Sequence, residues 1–411
     1  MADATLGAYN IADLREMARR RLPKSFFEFV DRGTEDEVGL RHNLAALAAI
    51  KFRPQVLVDV ANRDLGIELF GQRQKLPFAI SPTGIAGLLW HGGEVALARA
   101  AAAAGVPFSL ATTSITSMED VAAQAGGRLW YQLYMWPERK MSYEMVDRAR
   151  AANFEALILT VDTVVSPNRE YNQRNGYTAP FRFTPKNVAD VALHPRWMFG
   201  TLARYLMNGG MPQFENYPEE LRRKITSRQV DRRTLTNQSL TWDDLRDLRR
   251  MWPRKLIVKG ILRADDAVRA VNCGADAVQI SNHGGRNLDS AVAPIDVLPE
   301  ILDAVGHRAT VLVDSGYRRG SDIVKALALG AHAVMIGRGT LFGTAVAGQP
   351  GAARALAIYR EEIDRTMAFL GCRTIAEITP DILQLPPRGH AVAERAIPAS
   401  FERVPEPQMA K

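Results

Sequence analysis

TVLVDSGYRRGSDIVKALALGAHAVMIGR, Thr310 to Arg338, holds the repeating unit of the fold. A short apolar run, TVLV, stops at Asp314, Ser315 and Gly316, a turn composition. GSDIVKALALGA, Gly320 to Ala331, then spaces its apolar residues as a helix does, and AVMI returns to an apolar run before Gly337 and Arg338. Strand runs without polar alternation, joined by a helix, describe neighbouring parallel strands covered on both faces.

The same unit recurs in both directions. PFAISP begins at Pro77, PFSLAT at Pro107, LWYQLY at Leu129, ALILTVD at Ala156, KLIVKG at Lys255 and DAVQISN at Asp276. With TVLVDSG and AVMIGR the chain has eight such runs, which predicts an α/β fold, a (β/α)8 TIM barrel. The spacing is regular except between ALILTVD and KLIVKG, so a long insertion of about residues 166–240 follows strand 4. IADLREMARRRLP and KSFFEFVDRG read as N-terminal helices. Residues 1–76 are accordingly expected as a helical segment packed on the barrel, 77–380 as the barrel with its insertion, and 381–411 as a Pro-rich tail.

With 411 residues and 47% apolar content the chain can bury a large core. MADATLGAYN lacks the basic and apolar regions of a signal peptide, and no run of about 18 to 20 apolar residues offers a membrane span. Cys273 and Cys372 form no CxxC pair and have no histidine cluster nearby, so two free thiols and no metal site are expected. The net charge of +7 suits nucleic acid, an anionic membrane or acidic small substrates. Zinc-finger and RRM signatures are missing and the aromatics do not interleave with a basic stripe, which argues against nucleic acid.

Barrels of this kind perform chemistry at the C-terminal ends of their strands. There the sequence places Pro82, Thr83 and Gly84; Thr112; Gln132 and Tyr134; Thr160 and Asp162, with Arg169 beyond; Lys259; Ser281 and His283, with Arg286; Asp314; and Gly337 and Arg338. Taken singly, His283 reads as a solvated side chain, Asp162 as a helix cap, Arg169 as a loop charge and Tyr134 as packing. Convergence on one rim favours a site. GRGTLFG, Gly337 to Gly343, is spaced GxGxxxG and is not followed by a strand ending in an acidic residue, so a nicotinamide site is not expected.

SNHGGRNLD, together with YQLY, TVDT, VKG, DSGYRRGSD and GR in that order, resembles the FMN-dependent (S)-2-hydroxy-acid-oxidising family, from LPKSFFEF to DRTMAFLGC. RLPK, RGTEDE, SPTG and the basic insertion are most similar to its bacterial mandelate-oxidising branch, with lactate-oxidising members close behind. The resemblance implies FMN as cofactor and His283 as general base, with Asp162 pairing its imidazole. It implies Arg286 and Arg169 as the grip on the substrate carboxylate and Tyr134 at the substrate oxygens. Lys259 would face the flavin pyrimidine, stabilising the anionic reduced ring. Gln132, Thr160, Thr112, Ser281, Pro82, Thr83 and Gly84 would line the ring, Asp314 the ribityl chain, and Gly316, Arg318, Gly337 and Arg338 the phosphate. The implied reaction is oxidation of (S)-mandelate to benzoylformate, with L-lactate or another 2-hydroxy acid as the alternative and a non-catalytic phosphate-binding barrel as the different class.

Two positions depart from the family pattern. Phe29 stands where many members carry a tyrosine, and Gly84 where the oxidases carry alanine, glycine being found in members that prefer quinone to oxygen. In the insertion, Trp197, Phe199, Leu202, Tyr205 and Leu206 lie among Arg196 and Arg204, upstream of Arg222, Arg223 and Lys224. Aromatics flanked by cations suit attachment to an anionic membrane surface, placing the protein in the cytoplasm on the inner face of the cell membrane, where a quinone can accept electrons. The resemblance also implies a homo-oligomer, a tetramer.

Overall fold

The computed structural model describes residues 7–176, 184–227 and 236–386. Three helices open the chain: α1 (Ile11–Arg21), α2 (Lys24–Asp31) and α3 (Val38–Ala49). Asn10 starts α1 by accepting from the Asp13 amide while the Asp13 carboxylate accepts from the Asn10 amide, so two otherwise free helix-start donors are satisfied. On α2, Phe26, Phe27 and Val30 are buried, a spacing that seats one face of the helix on the core.

The eight expected strands are β1 (Phe78–Ile80), β2 (Phe108–Ala111), β3 (Leu129–Leu133), β4 (Ala156–Thr160), β5 (Lys255–Ile261), β6 (Ala277–Ile280), β7 (Thr310–Val313) and β8 (Ala333–Ile336). They close in the order β7-β8-β1-β2-β3-β4-β5-β6, and each neighbouring pair is parallel. The chain folds as a TIM barrel.

Both faces of every strand are covered, but successive side chains still alternate between them. Tyr131, Leu133, Leu157, Leu159, Val258 and Val278 pack outward against the helices. Trp130, Ala156, Ile158, Ile257, Ala277 and Leu312 form a separate apolar cluster within the barrel. That cluster is completed by Leu69 and Phe70 of the antiparallel hairpin Ile67–Leu69/Gln72–Gln74, with Phe70 set against Trp130 at 5.5 Å. One more step along the inward-facing series reaches Gln132, Thr160, Lys259, Gln279 and Asp314, all buried and all polar. Strand periodicity thus lays a polar layer across the barrel mouth above an apolar plug.

The insertion consists of short elements: Glu170–Arg174, Pro185–Ala192, Pro195–Trp197, a π-helical turn Met198–Leu202, and Ala203–Met207. Its aromatics divide. Trp197 is buried, donates its indole N–H to the Leu88 carbonyl at 2.7 Å and lies 4.7 Å from Phe26. Tyr205 lies 4.6 Å from the His91 ring and accepts from the Gly92 amide. Phe199 and Leu206 face solvent, as do Val188, Leu193 and Met207. The expectation that Trp197 and Tyr205 share the outward role is therefore corrected: they fasten the insertion to the loop after β1.

After β8 the chain forms Arg338–Leu370, interrupted at Ala347 and Gly348. The pair Leu383–Gln384 with Lys51–Phe52 ties the end of the described chain to its beginning, and residues 387–411, most of the expected tail, lie outside the described residues.

Candidate active site

The turn that follows β6 carries the chemistry. His283, Gly284 and Gly285 all take left-handed backbone angles, with φ of 57°, 69° and 69°. For histidine this costs roughly 1 kcal/mol or more, so surrounding contacts must impose it. Ser281 Oγ accepts from the His283 amide at 3.0 Å, and Ser315 Oγ accepts from the Gly284 amide at 3.0 Å. Gly285 donates to Asn282 and accepts from the Thr34 amide. A Cβ at Gly285 would lie 2.5 Å from the Leu40 nitrogen, so only glycine lets α3 close over the turn.

This geometry sends the imidazole toward the end of β4. Its Nδ1 is 2.9 Å from Asp162 Oδ1, and its Nε2 is 3.4 Å from the Tyr134 hydroxyl. A carboxylate accepts only, so Nδ1 carries the proton and Nε2 is left as the basic nitrogen. Asn287 braces this strand end by donating to the Asp162 backbone carbonyl at 2.8 Å and to Thr163 Oγ1 at 2.8 Å, and lies 3.4 Å from the Asp162 carboxylate. Lys259 Nζ donates to Ser281 Oγ at 2.9 Å and lies 3.9 Å from Asp162 Oδ2 and 3.6 Å from Asp314 Oδ2.

The charges follow from these contacts. Burial opposes the charge on Lys259, but Asp314 and Asp162 outweigh it and hold its pKa above the usual value. Burial likewise works against the Asp162 carboxylate, yet His283 and Lys259 bring its pKa down to about 2. Desolvation lowers the His283 pKa, with Lys259 and Arg169 acting in the same sense and Asp162 opposing them. The result is a neutral imidazole between a fixed anion and a phenol.

Arg169 and Arg286 stand beside this pair. Arg286 Nη1 donates to the Arg32 carbonyl at 2.8 Å, and Arg169 Nε donates to the Arg286 carbonyl at 3.2 Å. Desolvation, then the charge of Arg286, brings the Arg169 pKa down to about 10. Farther round, Arg338 donates to the Val30, Arg32 and Gly284 carbonyls at 2.9, 3.3 and 2.9 Å. It is buried at the first turn of its helix, with Gly337 as N-cap, and its pKa falls well below the usual value through burial and the charges of Arg286 and Arg318. None of Arg169, Arg286, Arg318 and Arg338 forms an ion pair among the described residues, and Arg338 stands at a helix N-terminus, which together suit an anion such as a phosphate. Gly316, at φ 98°, brings the neighbouring turn against Asn43 of α3.

The mouth also fits a flat heterocycle. Thr83 Oγ1, Gln132 Nε2, Thr160 Oγ1, Asp162 Oδ2 and Gln279 Oε1 are buried and have no hydrogen-bond partner among the described residues. Each such orphan costs about 1–3 kcal/mol, and five around one opening match the mixed donors and acceptors of a flavin pyrimidine edge. Thr112 donates to the Gln132 carbonyl at 2.6 Å and, through its amide, to Gln132 Oε1 at 3.2 Å, which turns the glutamine's NH2 group free. Ser81 Oγ donates to Asp314 Oδ2 at 3.4 Å, and Pro82, Thr83 and Gly84 continue along the rim. A Cβ at Gly84 would stand 2.2 Å from Thr113 Oγ1.

Of the residues the sequence placed at the strand ends, direct contacts join Tyr134, Asp162, Lys259, Ser281, His283 and Asp314 into one group and Thr112 to Gln132 beside it. Gln279 and Asn287 were missed as site residues. Gln279 donates to Asp314 Oδ2 at 2.7 Å, and its signal was a polar residue inside an apolar strand. Asn287 gave only its place in SNHGGRNLD.

Fold and rim together define a flavin-binding (β/α)8 oxidoreductase. Residues 18–385 match the FMN-dependent dehydrogenase family. The chain is 44% identical over 382 residues to the (S)-mandelate dehydrogenase of Pseudomonas putida, covering 92% of this chain and 94% of that protein. It is 40% identical to a putative L-lactate dehydrogenase of Mycobacterium tuberculosis, covering 91% and 88%. The crystal structure of the monotopic membrane protein (S)-mandelate dehydrogenase superposes with a TM-score of 0.87 at 42% identity, covering 93% of this chain and all (100%) of that one. Mandelate oxidase bound to (S)-2-phenylpropionate gives 0.75 at 35% identity, covering 92% and 98%. The protein belongs to the FMN-dependent dehydrogenase family.

The His283–Asp162 contact makes a signed prediction. Because the aspartate favours the imidazolium, Asp162→Asn removes a raising influence and the His283 pKa falls further. Histidine-selective NMR titration should show the His283 resonances shifting at lower pH than in the wild type. An unchanged or higher midpoint would contradict the electrostatics described.

Proposed function

We propose that the protein oxidises (S)-2-hydroxy acids to 2-oxo acids, (S)-mandelate to benzoylformate foremost, and passes the electrons to a membrane quinone. The observation that carries this reading is the placement of His283, held by Asp162 at Nδ1 with Nε2 directed to the Tyr134 hydroxyl. His283 Nε2 takes the proton the substrate loses on oxidation, and the Asp162 carboxylate stabilises the imidazolium that results. Arg169 and Arg286 hold the substrate carboxylate, and Tyr134 orients the oxygen at C2. FMN, when bound, would supply the acceptor for the electron pair and for the second hydrogen that the oxidation releases, as reduced flavin. Lys259, Gln132, Thr160, Thr83, Pro82, Gly84 and Ser281 would hold its ring, with Thr112 fixing the amide of Gln132. Asp314 would take the ribityl hydroxyls, and Gly316, Arg318, Gly337 and Arg338 the phosphate.

Dehydrogenase is favoured over oxidase by Gly84, through the resemblance to members that carry glycine there and prefer quinone. The acceptor side rests on the insertion. Val188, Leu193, Phe199, Leu206 and Met207 are exposed on short helices that also carry Arg196 and Arg204, a composition suited to peripheral attachment at the anionic inner face of the cell membrane. No helix among the described residues is long and apolar enough to cross a membrane.

Anaerobic titration of the yellow holoprotein tests the substrate reading. (S)-Mandelate should bleach the flavin and (R)-mandelate should not, with L-lactate slower. His283→Asn should keep its flavin but be reduced about 10²- to 10⁴-fold more slowly. Bleaching by none of these acids, or a near-wild-type rate in the variant, would remove the proposal.

For the membrane reading, the holoprotein should co-sediment with vesicles containing phosphatidylglycerol and be released by Leu193→Ser/Phe199→Ser/Leu206→Ser with flavin content unchanged. Trp197 is left intact because it fastens the insertion to the barrel. A wild type that ignores the vesicles would make the exposed segment a lid or a subunit contact.

A further inference from the structure

Phe29 leaves the buried stripe of its helix. Phe26, Phe27 and Val30 are buried in the core, whereas Phe29 packs against its edge and is only partly buried. Two guanidinium groups stand over its ring: Arg286 at 5.2 Å from the centroid and Arg169 at 6.0 Å. Both distances lie within the range where a cation is drawn to the negative face of an aromatic ring.

The two arginines need something of this kind. They share one small ring as neighbour, so their charges repel at close range, and neither forms an ion pair among the described residues. Their hydrogen bonds fix one end only: Arg286 through Nη1 to the Arg32 carbonyl, Arg169 through Nε to the Arg286 carbonyl and Nη2 to Asn287 Oδ1 at 3.4 Å. A ring that both guanidinium groups approach attracts both cations and gives each a surface to lie against.

We infer that Phe29 is a positioning residue that holds Arg169 and Arg286 side by side, through the face of its ring, as a ready-made seat for the substrate carboxylate. The inference rests on the reading of these arginines as the carboxylate grip. A phenylalanine does this without a hydroxyl, so carboxylate recognition at this position is left to the two guanidinium forks. The seat contributes to holding the acid whether or not it is reacting, so its loss weakens binding more than turnover.

The test compares the wild-type holoenzyme with Phe29→Leu, Phe29→Met, Phe29→Tyr and Phe29→Trp, using (S)-mandelate and its methyl ester. Leu and Met keep apolar bulk and discard the ring face; Tyr and Trp keep the face. Two cation–π contacts correspond to a rise in KM for the acid of about 5- to 30-fold in the Leu and Met variants. Their kcat should change less than about threefold, the ester's KM should hardly move, and Tyr and Trp should stay within about threefold of the wild type. Flavin content checks that each variant is folded, and the Met variant stands in should the Leu variant lose its flavin. If the wild type separates acid from ester strongly and Leu and Met do so equally well, the inference about Phe29 is overturned while the carboxylate grip stands. If the wild type does not separate acid from ester, the grip itself is wrong and the inference falls with it.

Discussion

Lys259 carries a charge into the barrel interior, where an unpaired ammonium would be several kcal/mol less stable than in water. It is tolerated because strand periodicity brings Asp162 and Asp314 to opposite sides of it, at 3.9 and 3.6 Å. Each carboxylate then has a second task. Asp162 accepts the hydrogen bond from His283 Nδ1, and Asp314 accepts from Gln279, Ser81 and Ser315. Ser281 closes the group by accepting from both Lys259 and the His283 amide. One buried cation thereby joins burial in lowering the basicity of the histidine, against Asp162, and orders the polar layer on which a flavin would rest.

A second set of contacts brings the N-terminal helices into the site. Arg286 and Arg338 both cap carbonyls at the end of α2, where the helix dipole favours positive charge. Arg338 also bonds the Gly284 carbonyl, and Thr34 and Leu40 close on Gly285. The left-handed turn holding His283 is therefore clamped between the barrel and residues near the start of the chain. This dual use constrains Arg286 more tightly than a surface cation and leaves only part of its fork for a ligand.

The barrel was legible because each strand is an apolar run cut off by a polar residue at its C-terminal end, and all eight runs match observed strands. His283, Asp162 and Lys259 were legible for the same reason: a charged residue ending a buried strand needs an explanation. Gln279 gave a weaker signal because its neighbours in DAVQISN resemble an ordinary strand, and its partner Asp314 is remote in sequence. The role of Trp197 was hidden because its indole pairs with the Leu88 carbonyl across the fold, so a local count of aromatics and cations gave it the wrong side. Helix α3 lay beyond the two N-terminal helices read from the sequence, and the break at Gly348 falls two residues before Pro350, a local breaker that the repeat pattern passed over.

The central claim is that His283, neutral and paired with Asp162, takes the proton while the bond at C2 of a 2-hydroxy acid breaks. Stopped-flow anaerobic reduction of the holoprotein by (S)-mandelate and by its C2-deuterated form, measured across pH, addresses both parts together. The account predicts slower reduction with deuterium and a rate that falls as pH drops through a single ionisation below the ordinary imidazole value of 6.5. A reduction rate insensitive both to deuterium and to pH would contradict it.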